Sequence, residues 1–157
     1  MKFLLSLLIV LFLFINTNSQ DFGDISEEEL LMNTCLEDPE ADAVILFNKC
    51  SMRINSEFDL VSEVHKRIKI LTEAGKKYAN QKIVYWHEDK ITDLDAICYL
   101  PNGEEIELDS DDIFTEEGEK TITLSFAIPG VEIGSVIEYE YQHWSERIHR
   151  LEPWEFQ

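Results

Sequence analysis

Hydrophobic residues follow three different patterns along the chain. From Phe3 to Ile15 they run together, interrupted only by Ser6. Near residue 30 a short acidic stretch leads into Leu30, Leu31 and Met32. From Ala43 onward, short apolar runs and strict alternation take over, which is the period of strands.

The middle pattern predicts a short helix over Glu27–Met32. Ser26 followed by Glu27-Glu28-Glu29 has the form of a capping box, in which Ser26 and Glu29 each satisfy the other's backbone amide. The acidic first turn suits the helix dipole, and Asp38-Pro39 stops any continuation.

The third pattern predicts strands. Ala43 to Asn48 is an apolar run with polar ends. Leu60, Val64, Ile68 and Ile70 share one parity, while Glu63, His65, Arg67 and Lys69 hold the other. Glu73-Ala74-Gly75 turns the chain, and Ile83 to Trp86 makes a further β-rich run. Ala96 to Leu100 and Glu104 to Leu108 flank Pro101-Asn102-Gly103, a tight hairpin signal because Asn-Gly tolerates positive φ. Ile122, Leu124, Phe126 and Ile128 alternate with polar or small residues. After Pro129-Gly130 and Gly134, Val136 to Tyr141 places Ile137, Tyr139 and Tyr141 opposite Glu138 and Glu140. About seven strands with short connections fit a β-sandwich or a curled antiparallel sheet. The expected fold is mainly β: an antiparallel sandwich of about seven strands with a short N-terminal helix.

The first pattern is a targeting signal. Met1-Lys2 is a positive start, and Phe3–Ile15 spans about 13 residues where a membrane crossing needs about 20. Thr17 and Ser19 suit a signal-peptidase site, so residues 1–19 are read as a cleaved signal peptide and 20–157 as one domain. A membrane role is expected only through an uncleaved signal segment. With Lys2 removed, 32 acidic residues face 12 basic ones, a net charge near −20. That field disfavours nucleic acid and anionic lipid. Three cysteines, Cys35, Cys50 and Cys98, permit one disulfide and a free thiol, or buried thiols throughout.

Candidate chemistry is sparse. His87-Glu88 opens like a metalloprotease motif, but Ile91 stands where the second histidine belongs. His143 and His149, on a straight strand, would sit about 20 Å apart, too far to share a metal. Asp109, Asp111 and Asp112 form part of a calcium-type loop, although Phe114 occupies the glycine position of an EF-hand. Cys98 alternates with Ala96 and Leu100 as a packed thiol would, and no local signature places Cys50 or Cys98 beside a histidine as a nucleophile. Glu138 and Glu140 share a strand face about 7 Å apart and read as solvated carboxylates. Trp86, Trp144 and Trp154 offer either a sugar-stacking surface or packing. His65, Arg67 and Lys69 make a basic line in an acidic protein. It is read as cross-strand pairing with carboxylates or as a docking line for an acidic surface. No catalytic residue and no cofactor are expected.

The chain resembles the bacterial domain-of-unknown-function family 3857. The resemblance rests on Asp38 to Val44, on His65 to Leu71 with Thr72 to Gly75, on Leu100 to Gly103, on Phe126 to Tyr141 and on Trp154 to Gln157. It covers about Asp24 to the end. It implies a β-sandwich module at the front of a longer exported protein, periplasmic or extracellular in a Gram-negative bacterium. The usual neighbour is a transglutaminase-like domain whose Cys-His-Asp centre lies outside this chain. The expected role is therefore a non-catalytic module that positions or regulates that downstream domain, its partner in the same polypeptide. The alternative is an independent carbohydrate- or peptide-binding domain, with Trp144 and Trp154 among the contact residues.

Overall fold

The computed structural model describes residues 21–146. The signal peptide expected over 1–19, and the candidate residues His149 and Trp154, lie outside the described residues.

Eight strands occur among the described residues: β1 (Ala43–Ile54), β2 (Leu60–Ile70), β3 (Asn80–Trp86), β4 (Lys90–Tyr99), β5 (Glu105–Glu107), β6 (Ile113–Glu117), β7 (Thr121–Ala127) and β8 (Val136–Ser145). Among the described residues one α-helix, α1, covers Glu27–Leu31 and has the capping box expected at Ser26 and Glu29. The strand beyond the seven expected is β6. Only Ile113 is shielded on it, so it carries no alternation signal, and pairing with β7 alone holds it in place.

The strands form two antiparallel sheets, ordered β1-β2-β8-β4-β5 and β3-β7-β6. Their facing sides build the main core. Ile68, Ile70, Ala96, Cys98, Ile137 and Tyr139 come from the larger sheet, and Phe126, with Ile83, Leu124 and Ile113, from the smaller. Apart from Ile83 and Ile113, these are the apolar parities read from the sequence. Burying a side chain of this size stabilises by about 1.5–3 kcal/mol. Phe126 and Tyr139 meet edge-on with centroids 6.0 Å apart.

The turn between β7 and β8 is shaped by its glycines, with Gly130 at φ +71° and Gly134 at φ +89°. Gly75 serves close approach instead: a Cβ there would lie 2.1 Å from the Asp42 carbonyl oxygen.

The outer side of the large sheet is also covered, which alternation did not predict. Residues 21–31 cross it as a strap, and Phe22, Ile25 and Leu30 pack on Ile97, Tyr99 and Val136. A register shift in β1 between Ile45 and Phe47 turns Phe47 to the outer face opposite Arg67, and Leu46 joins the strap cluster. Part of the polar parity of β2 and β8 is thereby buried: Arg67, Lys69 and Glu138 have no solvent exposure.

Candidate functional site

Beneath the strap lies a buried ionic centre. Arg67 on β2 and Glu138 on β8 are direct cross-strand partners. Arg67 Nη2 donates to Glu138 Oε1 at 2.7 Å, and His65 Nε2 lies 2.6 Å from the same oxygen. An ionised carboxylate only accepts, so His65 carries its proton on Nε2. Glu138 Oε2 accepts from the Tyr99 hydroxyl at 3.0 Å and from the Gly23 amide at 3.2 Å. A carboxylate offers about four acceptor positions. All are taken.

The strap answers the remaining charges. Glu29 closes the capping box by accepting from the Ser26 amide at 2.8 Å, and it also takes Arg67 Nη1 at 3.0 Å. Lys69 Nζ donates to the carbonyls of Leu30 and Gly134. The Arg67 Nε atom is buried without a hydrogen-bond partner, and the Phe47 ring lies 5.0 Å from the guanidinium carbon.

These contacts set the titration. Burial pushes the Glu138 carboxyl up, but hydrogen bonds from His65 and Arg67 and the charge of Arg67 outweigh it, leaving Glu138 below its ordinary value. Burial pulls Arg67 down, and its contacts with Glu138 and Glu29 raise it above ordinary overall. Burial lowers Lys69 and raises Tyr99, whose phenol is further held neutral by the Glu138 charge.

Beside the strap, the same face opens into a cleft of about 350 Å³ lined by Lys49, Glu63, His65, Asp93, Glu140 and Gln142. Asp93 sits at φ +51°, where the β4–β8 register shifts between Thr92 and Asp95. Glu63 is engaged by Arg53 at 3.3 Å, and Arg53 in turn lies 5.8 Å from the Trp144 ring. Glu140 is raised above ordinary, first by burial and then by Asp95, Glu138 and Glu63, against the opposing pull of His65.

His65, Arg67 and Lys69 do line one face, but Arg67 and Lys69 are sealed under the strap and present no docking line to solvent. Cross-strand pairing with a carboxylate holds for His65 and Arg67, whereas Lys69 bonds to backbone carbonyls. Glu138 was expected in solvent and is instead the hub of the centre, while Glu140 looks into the cleft. Asp109 accepts from the Asp111 amide at 3.0 Å and caps a 3-10 turn over Ser110–Asp112. Among the described residues no group of three or more His, Cys, Asp or Glu is placed to hold a metal ion, so the three aspartates do not converge as calcium ligands. His143 bonds to Asp89 at 3.1 Å. Cys35, Cys50 and Cys98 are free thiols, and burial raises Cys98 above ordinary. Trp144 lies on the large sheet and donates to Thr92, whereas Trp86 lies on the small one. Glu29 and Tyr99 escaped the sequence reading as members of the centre. Their only advance signals were the capping box and the parity of β4.

A family model described as a domain of unknown function with solved structure matches residues 58–154. The chain belongs to domain-of-unknown-function family 3857. The matched span of family 3857 begins inside the β1–β2 turn and omits β1 and the strap, which supply Phe47 and Glu29 to its buried centre. A crystal structure of a candidate protease from Parabacteroides distasonis shares the fold, with a TM-score of 0.61 at 10% identity over 66% of this chain. The chain spans 23% of that protein's length. No curated protein matches the chain.

Proposed function

We propose that this family 3857 chain is a non-catalytic, exported β module that positions or regulates a transglutaminase-like domain following it in the same polypeptide. The observation that carries the non-catalytic part is the saturation of Glu138. Each of its lone-pair positions is answered from within the protein, and it is closed to solvent, so neither a substrate proton nor a nucleophile reaches it. The modular part is supported by the structural neighbour, in which this fold accounts for 23% of a longer chain described as a candidate protease.

The test is a three-way comparison of the full natural polypeptide, the module alone and the remainder alone, assayed for peptide hydrolysis and acyl transfer. Activity is expected in the full polypeptide, none in the module, and a loss of rate or stability in the remainder. Hydrolysis by the module, or an undiminished remainder, overturns the reading. Export predicts a mature N-terminus at Gln20, read by intact mass.

A second reading, a glycan- or peptide-binding domain, draws support from the cleft. Gln142, Glu140 and Lys49 supply hydrogen-bonding groups there, and Trp144 follows on the same strand face. Saturable quenching of tryptophan fluorescence by oligosaccharides would favour this reading over the first.

A further inference from the structure

The β1–β2 hairpin ends in a turn where an exposed aromatic side chain stands at a position that usually takes glycine. Phe58 has φ +70°, in the left-handed region that bulky residues avoid. Its amide donates to the Asn55 carbonyl at 3.2 Å, and the Asn55 amide donates to the Asp59 carbonyl at 3.0 Å. Hairpin turns with a left-handed residue at this point ordinarily use glycine.

The strain is held in place by Asn55. Its side-chain oxygen accepts from the amides of Glu57 and Asp59, both at 2.9 Å, and its side-chain nitrogen donates to the Asp59 carboxylate at 3.0 Å. The turn is therefore built, and what it presents is apolar. Phe58 is 74% exposed, Ile54 59% and Met52 45%, all at one end of the hairpin. Backbone strain of this kind persists where surrounding structure over-determines it, and it concentrates at ligand clamps and binding segments. Exposed aromatics of this kind are common anchors of protein interfaces.

The topology says what lies nearest. Leu60, at the root of the turn, pairs with Ser145, the last residue of β8. The end of β8 thus lies at the root of the turn that carries Phe58. The flanking Glu57 and Asp59, and a net charge of −19, oppose an anionic lipid surface and favour a basic rim around an apolar pocket.

We propose that the hairpin tip, Phe58 with Ile54 and Met52, is the docking surface for the domain that follows β8 in the same polypeptide. The tip seats Phe58 in an apolar pocket with a basic rim. This inference rests on the positioning role proposed above and names the surface that performs it.

The experiment uses the full natural polypeptide and a Phe58→Asn variant. Asparagine tolerates the left-handed conformation, so the module's own thermal midpoint is expected to stay or rise. The rate of limited proteolysis in the connection after Ser145 is expected to increase about tenfold or more, the loss of one interface anchor. A Met52→Ser, Ile54→Thr variant, which leaves the turn intact, is expected to act in the same direction. Two folded fragments released at unchanged rates by both variants would overturn the docking surface and leave the positioning role standing. A polypeptide that yields no second folded fragment would overturn both. Sedimentation showing that Phe58→Asn dissolves a dimer would assign the tip to a second copy of this chain and overturn the occupant.

Discussion

Arg67 and Glu138 face each other across the β2–β8 ladder with both side chains fully removed from solvent, 71 residues apart in sequence. Taking two charges out of water is costly, and it is tolerated when geometry and additional hydrogen bonds compensate. Here Tyr99, Gly23 and His65 complete the carboxylate, and Glu29 takes the other side of the guanidinium. The centre joins β2, β4, β8 and the strap.

Breaking one partner leaves the other charge buried. Glu138→Gln is expected to destabilise the domain by about 3–5 kcal/mol, measured by urea unfolding at neutral pH. Combined with Arg67→Met, the loss should fall well short of the sum of the single losses, because each single change already forfeits the pair. Additive losses would show that the two side chains are energetically independent.

The acid limb of stability should carry the signature of Glu138. Its folded pKa is depressed, so its contribution is present above the ordinary carboxylate value and disappears as pH falls through the folded value. The gap in thermal midpoint between the wild type and Glu138→Gln is therefore widest at neutral pH and closes on acidification. Glu140 has the opposite sign. Its folded pKa is raised, so its contribution is present at low pH and lost as pH rises through that value. Glu140→Gln is expected to raise the midpoint at pH 7 and leave it nearly unchanged near pH 4. Parallel pH profiles for the two variants would contradict this assignment.

The physical domain is larger than the matched family span. A polypeptide limited to residues 58–154 lacks β1, the longest partner of β2, and the strap that seals Arg67, Lys69 and Glu138. It is expected to show no cooperative unfolding transition and poor amide dispersion by NMR. Within the intact domain, Glu29→Ala removes the ion pair with Arg67 and the bond that Glu29 accepts from the Ser26 amide, and should cost about 1.5–3 kcal/mol. A cooperative 58–154 fragment would mean that the strap is dispensable.

Much of this was legible in the chain. The capping box at Ser26 and Glu29, the alternation in β2, β7 and β8, the hairpin at Asn102-Gly103 and the turn at Pro129-Gly130 each depend on residues a few positions apart, and local chemistry decides them. β6 was not legible, because an exposed edge strand needs no apolar parity. Alternation also correctly put Arg67 with Lys69 and Glu138 with Glu140 on one face of the large sheet. What it could not say is what covers that face. Alternation records which side chains point the same way, and burial depends on what arrives opposite them. The strap reaches Arg67 from 38 residues upstream through Glu29, a contact between segments that no local pattern connects. The sequence alone therefore determined seven of the eight strands, the turns between them and the sorting of faces. Only the tertiary structure decided that the polar face became a closed ionic centre rather than a surface, because the free energy of a charge is set by its neighbours in space.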